Sequence, residues 1–164
     1  MSVASRTHLV LAAAVLGFLA FDVGAQERTY PGAMCVEVQD NKSPDERQKV
    51  SRTSDGEIFN LSPSHVLEVV CPVTGLFDDT SGGSANVFVH DRNTKQEICC
   101  TSRLNNVGVV LSSPEACSTA TDDRLQTLVL TPPVFGFTFT SRYFNCTIPP
   151  MDKGEASGIL LYRH

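Results

Sequence analysis

The sequence predicts an all-β fold, a jelly-roll-like β-sandwich of two antiparallel sheets that disulfides cross-link. Three observations lead to this prediction. After residue 25, short runs of β-branched and aromatic residues alternate with clusters of Gly, Pro, Asn, Asp and Ser. No helical period of about 3.6 residues persists over the same stretch. Six cysteines follow an apolar N-terminal run that is typical of an export signal.

The first 25 residues predict a secretory signal peptide. Arg6 and His8 form a short basic start, residues 9–21 form the apolar segment, and Val23-Gly24-Ala25 supplies the small residues before a cleavage site. The apolar segment is shorter than the roughly 18 residues that a membrane span needs. We therefore expect a single domain, residues 26–164, that is secreted or periplasmic and has no membrane span after cleavage.

The predicted strands follow at intervals of about ten to fifteen residues, which is typical of sandwich folds. Residues 26–34 form a polar entry with a turn at Tyr30-Pro31-Gly32, and the polar stretch 39–57 predicts a long exposed loop. The chain has no tryptophan, so an immunoglobulin-type core is not supported. The strand runs are residues 35–38, 58–61, 65–73, 85–92, 96–104, 107–111, 125–130, 135–148 and 159–162.

Turn residues separate several of these runs. Pro72 should end the pairing of the run 65–73 or mark a sheet edge, because proline has no amide hydrogen to donate. Ser81-Gly82-Gly83-Ser84 predicts a flexible turn before residues 85–92. Asn105-Asn106 predicts a tight hairpin turn.

The even number of cysteines behind an export signal predicts three disulfides. No Cys-x-x-Cys spacing occurs, which argues against a zinc ribbon and against a thioredoxin-type redox motif. The cysteines are Cys35, Cys71, Cys99, Cys100, Cys117 and Cys146.

Strand geometry restricts how these cysteines pair. Neighbouring side chains on a strand point to opposite faces, so Cys99 and Cys100 need different partners. Cys146 shares its face with Phe144 and Ile148, which is the expected core face. We therefore expect either Cys99 or Cys100 to bond Cys146 inside the core.

The remaining cysteine of the adjacent pair should reach Cys117 in the loop 112–123. That assignment leaves Cys35 for Cys71, closing a loop around the polar segment. A vicinal disulfide between Cys99 and Cys100 is the alternative, and it requires a strained peptide geometry.

Five segments of the chain consist of turn residues, strand cores and cysteines. They are Tyr30-Pro31-Gly32-Ala33-Met34-Cys35, Val69-Val70-Cys71-Pro72-Val73, Val87-Phe88-Val89-His90-Asp91, Cys146-Thr147-Ile148-Pro149-Pro150 and Gly158-Ile159-Leu160-Leu161-Tyr162. In this layout the chain resembles a group of short exported bacterial β-rich proteins of unassigned function. The resemblance implies a signal peptide, a β-sandwich and disulfides, and no catalytic or binding residue. Cys99 and Cys117 are additions to the group's pattern, which implies that they pair, and Cys100 then corresponds to the core partner of Cys146.

The charge balance argues against nucleic acid as a partner. Lys and Arg number 13 against 18 Asp and Glu, for a net charge of −5. A nucleic-acid binder needs clustered cations to replace counterions.

Catalytic motifs are missing from the sequence. His65, His90 and His164 have no zinc-ligand spacing, and no Gly-x-Ser-x-Gly elbow occurs. His90 and Asp91 could join a triad with a distant serine, but a polar strand end is the favoured interpretation. We predict no cofactor and no metal centre of the zinc type.

Two acidic loop pairs, Asp78-Asp79 and Asp122-Asp123, are candidate Ca²⁺ ligands because hard cations take several carboxylate oxygens. They lack an Asp-x-Asp-x-Asp-Gly spacing, so plain solvated loops are the favoured interpretation. Asn60 and Asn145 begin Asn-x-Ser/Thr sequons, which predict glycosylation only if the source glycosylates exported proteins.

The sequence thus favours an exported, non-catalytic binding or interaction module, whose partner is a protein or a polysaccharide surface. Tyr143 is the candidate aromatic for sugar contact, although a strand aromatic that covers a hairpin edge is the favoured interpretation of it. The alternatives are a small secreted hydrolase with an unrecognised site and a structural surface subunit that uses an exposed sheet edge.

We predict that the exported protein begins at Gln26. The apolar segment and the small residues before position 26 fit signal-peptidase cleavage there. N-terminal sequencing and intact mass of the exported protein check this, and retention of residues 9–21 would contradict it.

Overall fold

The structure is a computed structural model that describes residues 28–38, 49–74, 84–106, 108–119, 125–133 and 141–164. Within these residues the chain forms two antiparallel sheets and one short 3₁₀ turn, which confirms the predicted all-β sandwich. The strands are β1 (Thr29–Pro31), β2 (Val36–Glu37), β3 (Val50–Arg52), β4 (Ile58–Asn60), β5 (Leu67–Val73), β6 (Ala85–His90), β7 (Cys99–Asn106), β8 (Val109–Ser112), β9 (Ala116–Cys117), β10 (Leu125–Leu130), β11 (Ser141–Ile148) and β12 (Gly158–Arg163).

Each sheet combines strands from distant parts of the chain. Sheet I has the order β10-β6-β12-β4-β3, and β1 also pairs with β12. Sheet II has the order β2-β5-β11-β7-β8, and β9 also pairs with β7. The two central strands of sheet II, β11 and β7, pair over seven residues from Ser141 opposite Asn105 to Thr147 opposite Cys99.

Alternation along the strands places one set of side chains between the sheets. In β5 and β6 every second residue is buried. Burying a Val, Leu or Ile side chain contributes about 1.5–3 kcal/mol, so this layer supplies much of the stability. Its largest fully buried members are Tyr162, Phe144, Ile58, Ile98, Leu104, Leu130, Ile148, Ile159, Val69, Val87 and Val89.

Two tyrosines connect the sheets through their hydroxyl groups. Tyr30 stacks on Tyr162 with ring centroids 5.1 Å apart. Tyr162 donates to the carbonyl of Pro72 at 2.7 Å, and Tyr30 donates to the carbonyl of Thr74 at 2.5 Å. Burial, followed by the neighbouring Tyr30, raises the pKa of Tyr162, so its hydroxyl stays a donor at physiological pH.

Three disulfides join the strands, and the described residues hold no free cysteine: the bonds are Cys35–Cys71, Cys99–Cys117 and Cys100–Cys146. Cys100 lies directly opposite Cys146 and both are buried, whereas Cys99 lies opposite Cys117 on the outer side of β7. The Cα atoms are 4.1 Å apart in both pairs, the close spacing of directly opposed strand residues. Adjacent cysteines therefore cross-link β7 to a different neighbour on each face.

Three strands lie where the sequence predicts turns or loops. They are β1 in the polar entry, β3 in the stretch 39–57 and β9 in the loop that carries Cys117. Each has only two or three residues and lies beside a longer strand, so no alternation is long enough to identify it. The first part of the predicted run 135–148 falls outside the described residues, as do residues 81–83 of the predicted turn 81–84.

Pro72 meets the second part of its prediction, a position at a sheet edge, whereas the Asn105-Asn106 pair acts differently from expectation. β5 continues through Pro72 to Val73 opposite β11, while β2 pairs with β5 only at Val69 and Val70. Among the described residues no strand pairs with β5 beside Pro72 on the β2 side, so the proline lies at an open edge rather than at the end of the strand. The predicted turn at Asn105-Asn106 is wrong, because Asn106 pairs with Val109 and the turn contains Gly108, whose φ of +89° favours glycine.

No helix among the described residues is long and apolar enough to cross a lipid bilayer. The predicted signal peptide lies outside the described residues and stays a prediction.

We predict that the double variant C100A/C146A loses more stability than C99A/C117A. The inner bridge spans 46 residues and the outer one 18, a difference worth about 1 kcal/mol in the chain-entropy model. Loss of two fully buried sulfurs also leaves a cavity, so the total difference should be about 1–3 kcal/mol. Urea unfolding of both variants measures it, and equal free energies of unfolding would contradict the assignment of the two faces.

Candidate functional site

The outer surface of sheet II carries a row of polar side chains around one aromatic ring. In the middle of the sheet, Tyr143 on β11 lies opposite Pro72 on β5 and opposite Arg103 on β7. The next row places Asn145 between Val70 and Thr101, and the row after it places Thr147 between Glu68 and Cys99. All of these residues are partly exposed, because the alternate positions fill the core. We call this surface the Tyr143 face and define it by Glu68, Val70, Pro72, Thr101, Arg103, Tyr143, Asn145 and Thr147.

Two polar atoms of the Tyr143 face are shielded from solvent and have no hydrogen-bond partner in the described part of the chain. They are Nε of Arg103, a donor, and Oδ1 of Asn145, an acceptor. These residues are diagonal neighbours on adjacent strands, since Tyr143 lies opposite Arg103 and Asn145 follows two positions later. An unpaired shielded polar group costs about 1–3 kcal/mol, so an incoming group that can both donate and accept is favoured once a side-chain rotation of these partly exposed residues opens the two atoms to it.

The charged groups of the Tyr143 face are separated by β11. On the β5 side, Glu68 accepts a hydrogen bond from Nδ2 of Asn145 at 3.0 Å. On the β7 side, Arg103 has no carboxylate within 4 Å among the described residues. Two strand spacings, about 9.6 Å, separate β5 from β7. The face therefore offers an acceptor-rich side, a central ring and a cationic side.

The outer surface of sheet I is more apolar and forms a second candidate face. Phe88 on β6 lies opposite Leu161 on β12, and the Arg163 guanidinium lies 5.1 Å from the Phe88 ring centroid. At the edge strand β10, Leu125 is 57% exposed and Val129 is 59% exposed. We call this surface the Phe88 face and define it by Phe59, Phe88, Leu125, Val129, Leu161 and Arg163. Scattered exposed apolar residues are common on soluble domains, so this face by itself indicates no ligand.

Asp91, a candidate triad member, is fully buried at the end of β6. Its carboxylate accepts hydrogen bonds from the hydroxyls of Ser118 and Ser157, and from the backbone amides of Asn93 and Ile98. Four donors and complete burial are typical of a structural carboxylate that fixes loops. His90 lies on the outer side of β6 instead, so the two neighbours face opposite directions.

The loops at the Asp91 end are fastened by a second set of polar contacts. Asn93 donates through Nδ2 to the carbonyl of Pro150 at 2.8 Å, and its Oδ1 accepts from the amides of Lys95 and Gln96. Asp152 accepts from the Thr94 hydroxyl at 2.6 Å and pairs with Lys95 at 3.3 Å. These bonds join residues 91–98 to residues 149–157.

One group of potential metal ligands occurs in the described part of the chain. The ligand atoms of Glu97, Cys99 and Cys117 lie within 4.8 Å of one another. Both sulfurs belong to the Cys99–Cys117 disulfide, so neither is the thiolate that a metal requires. The group therefore does not form a metal centre in this oxidised state.

The candidate Ca²⁺ ligands Asp78, Asp79, Asp122 and Asp123 all lie outside the described residues, so that hypothesis stays a prediction. Asn60, in contrast, is only 1% exposed. Its Nδ2 donates to the carbonyls of His65, Ile148 and Pro149, and its Oδ1 accepts from the amide of Ser62. The sequon at Asn60 stays a prediction, and in the folded structure its Nδ2 is buried and bonded to these three carbonyls. Asn145 is partly exposed, and its sequon remains a prediction.

Sequence reasoning identified Tyr143 but missed Arg103 and the role of Asn145. Their convergence depends on the register of β5, β11 and β7, which places residues 40 positions apart in one row. The alternation of residues 99–106 was the available sign, since it places Thr101 and Arg103 on the face opposite the buried Cys100.

Comparisons with known proteins give only distant structural similarities. No family model and no curated protein matches the chain. A solved structure described as a family two carbohydrate esterase from Cellvibrio japonicus is 9% identical with a TM-score of 0.43, over 84% of this chain and 33% of that one. CsCBM6-3 from Clostridium stercorarium, in complex with cellobiose, is 12% identical with a TM-score of 0.40, over 81% of this chain and 94% of that one. The chain thus spans about one third of the esterase structure.

We predict that D152N destabilises the protein at neutral pH and that this effect disappears in acid. Hydrogen bonds from Thr94, and then the nearby Lys95, hold the pKa of Asp152 below the ordinary value of about 4. A lowered folded-state pKa means that the stabilisation is present above the unfolded-state pKa and is lost as pH falls through the folded-state pKa.

Urea midpoints of the wild type and of D152N, measured from pH 7 down to pH 2.5, check this. The gap between the two proteins should narrow below pH 4. A gap that stays constant over the whole range would contradict a role for the charged carboxylate.

Proposed function

We propose that this chain is an exported, non-catalytic binding module and that the Tyr143 face binds a saccharide. The observation that carries the proposal is the pair of shielded, unpartnered polar atoms, Arg103 Nε and Asn145 Oδ1, beside the Tyr143 ring. Export is supported by the three disulfides, which persist in oxidising compartments.

A saccharide matches both parts of this surface. Each hydroxyl group can donate and accept, so one hydroxyl or two neighbouring ones can satisfy Asn145 Oδ1 and Arg103 Nε together. The apolar side of a sugar ring can lie against Tyr143, whose phenol combines an apolar ring with a polar tip. Glu68 and Asn145, which already bond each other, extend the polar row for further hydroxyls.

The rigid support of the face favours binding. Tyr143, Asn145 and Thr147 stand on one strand that pairs along both sides, and Cys146 between them is covalently joined to β7. A face whose backbone is already ordered loses little conformational entropy on binding. Within the described residues no histidine of the chain belongs to this face, so a histidine general base is not part of the proposal.

We predict that Y143A weakens saccharide binding by about tenfold or more, since the ring supplies the main apolar contact. The matched control is F88A, which removes an aromatic ring from the outer surface of the other sheet. Affinity electrophoresis against a panel of soluble plant, bacterial and animal polysaccharides identifies a ligand, and titration calorimetry with its oligosaccharides gives the affinities.

Three results would contradict the proposal: no polysaccharide is retained, Y143A binds like the wild type, or F88A alone abolishes binding. Urea midpoints of both variants exclude a general loss of folding. Release of reducing ends or of acetate during incubation would instead favour the hydrolase alternative.

A further inference from the structure

The charges of the Tyr143 face narrow the ligand class, provided that the proposed function holds. The chain carries a net charge of −5, and several of its cations have an acidic partner. Arg52 pairs with Glu37 at 3.5 Å, Arg92 pairs with Glu155 at 3.1 Å, and Lys95 pairs with Asp152. Arg103 has no such acidic partner among the described residues. Its backbone pairs with β11 on one side and β8 on the other.

The unpartnered atom of Arg103 is informative because of the shape of the guanidinium group. Nε–H and one Nη–H form a parallel pair of donors that matches the two oxygens of a carboxylate or sulfate. Nε is shielded from solvent and has no acceptor among the residues that the structure describes. Arg103 is partly exposed, so a rotation of its side chain would open this edge to an anion, which would then satisfy Nε and neutralise the charge together.

Arg103 is close enough to Tyr143 for a single saccharide to contact both residues. The two residues lie directly opposite on β7 and β11, so about 4.8 Å separates their backbones. A sugar ring over Tyr143 would therefore bring an acidic ring substituent within reach of Arg103. Glu68, on the far side of β11, disfavours the opposite orientation by repulsion.

We propose that the saccharide bound at the Tyr143 face is acidic, and that Arg103 binds its carboxylate or sulfate group side-on. Carboxylate and sulfate share this geometry, and matched polymers distinguish them. The proposal adds two properties that the proposed function does not specify. They are the charge of the ligand and the orientation of its acidic group towards Arg103.

The experiment uses the exported protein and two pairs of polymers that differ only in charge. Polygalacturonate is compared with its fully methyl-esterified form, and dextran sulfate with dextran. We expect at least one acidic polymer to bind about tenfold or more tightly than its neutral counterpart, because hydrogen bonds to a charged group are strong. The pair that shows the larger preference identifies carboxylate or sulfate as the preferred group.

Three variants assign the preference to Arg103. R103Q should remove the preference while binding to the neutral polymer persists, and R103K should retain only part of it because lysine lacks the paired donors. R163Q, on the Phe88 face, controls for a nonspecific effect of losing one positive charge and should keep the preference. Each measurement is repeated at 50 and 300 mM salt. Diffuse attraction between distant charges is screened at the higher salt concentration, whereas direct contact of Arg103 with the acidic group is screened less.

The outcomes separate this inference from the proposed function. Equal wild-type affinity for acidic and neutral polymers, or an acidic preference that survives in R103Q, overturns the role of Arg103 and leaves saccharide binding intact. Loss of the preference in R163Q to the same extent as in R103Q also overturns it. Failure to bind any of these polymers or those of the wider panel overturns the proposed function itself. If R103Q does not fold, R103K and the wild-type comparison still decide the question.

Discussion

Strand β11 lies between β5 and β7, and the register that pairs Cys146 with Cys100 determines which side of sheet II every neighbouring residue faces. A shift of one residue would turn Phe144 and Cys146 outward and bring Tyr143 and Asn145 into the core. The buried disulfide makes that shift impossible without breaking a covalent bond. The core, the polar outer surface and the row from Pro72 through Tyr143 to Arg103 all depend on this single alignment.

Much of the fold could be predicted because the long strands carry their own period. Residues 125–130 were predicted with the bounds that the structure has, and alternation in residues 65–73 gave most of β5. The strands β1, β3 and β9 could not be predicted, because two or three residues contain no period and their pairing depends on partners far along the chain. The burial of Asn60 and Asp91 was equally out of reach, because part of their hydrogen-bond partners belong to distant segments.

The candidate site was only partly accessible from the sequence. Tyr143 could be placed opposite the core face because Cys146 and Phe144 fixed the orientation of its strand. Arg103 is 40 positions away, and only the register of β7 against β11 makes it a neighbour. The adjacent cysteines provided the necessary geometry in part, since they oblige residues 99 and 100 to face opposite ways. Arg103 follows to the outer side only once Cys100 is chosen as the core cysteine.

The Cys99-Cys100 pair also determines how the chain would respond to a protease. Its two bonds reach Cys117 and Cys146, so a single cut at any peptide bond between Cys100 and Cys146 leaves the two pieces covalently connected. The same holds between Cys35 and Cys71. Between Cys35 and Cys146, only the stretch from Cys71 to Cys99 lies outside these covalent rings, and it contains β6, whose ladders to β10 and β12 must resist dissociation there. The terminal strands β1 and β12 lie beyond the rings as well. A nicked form of the domain would therefore keep its fragments together over most of its length.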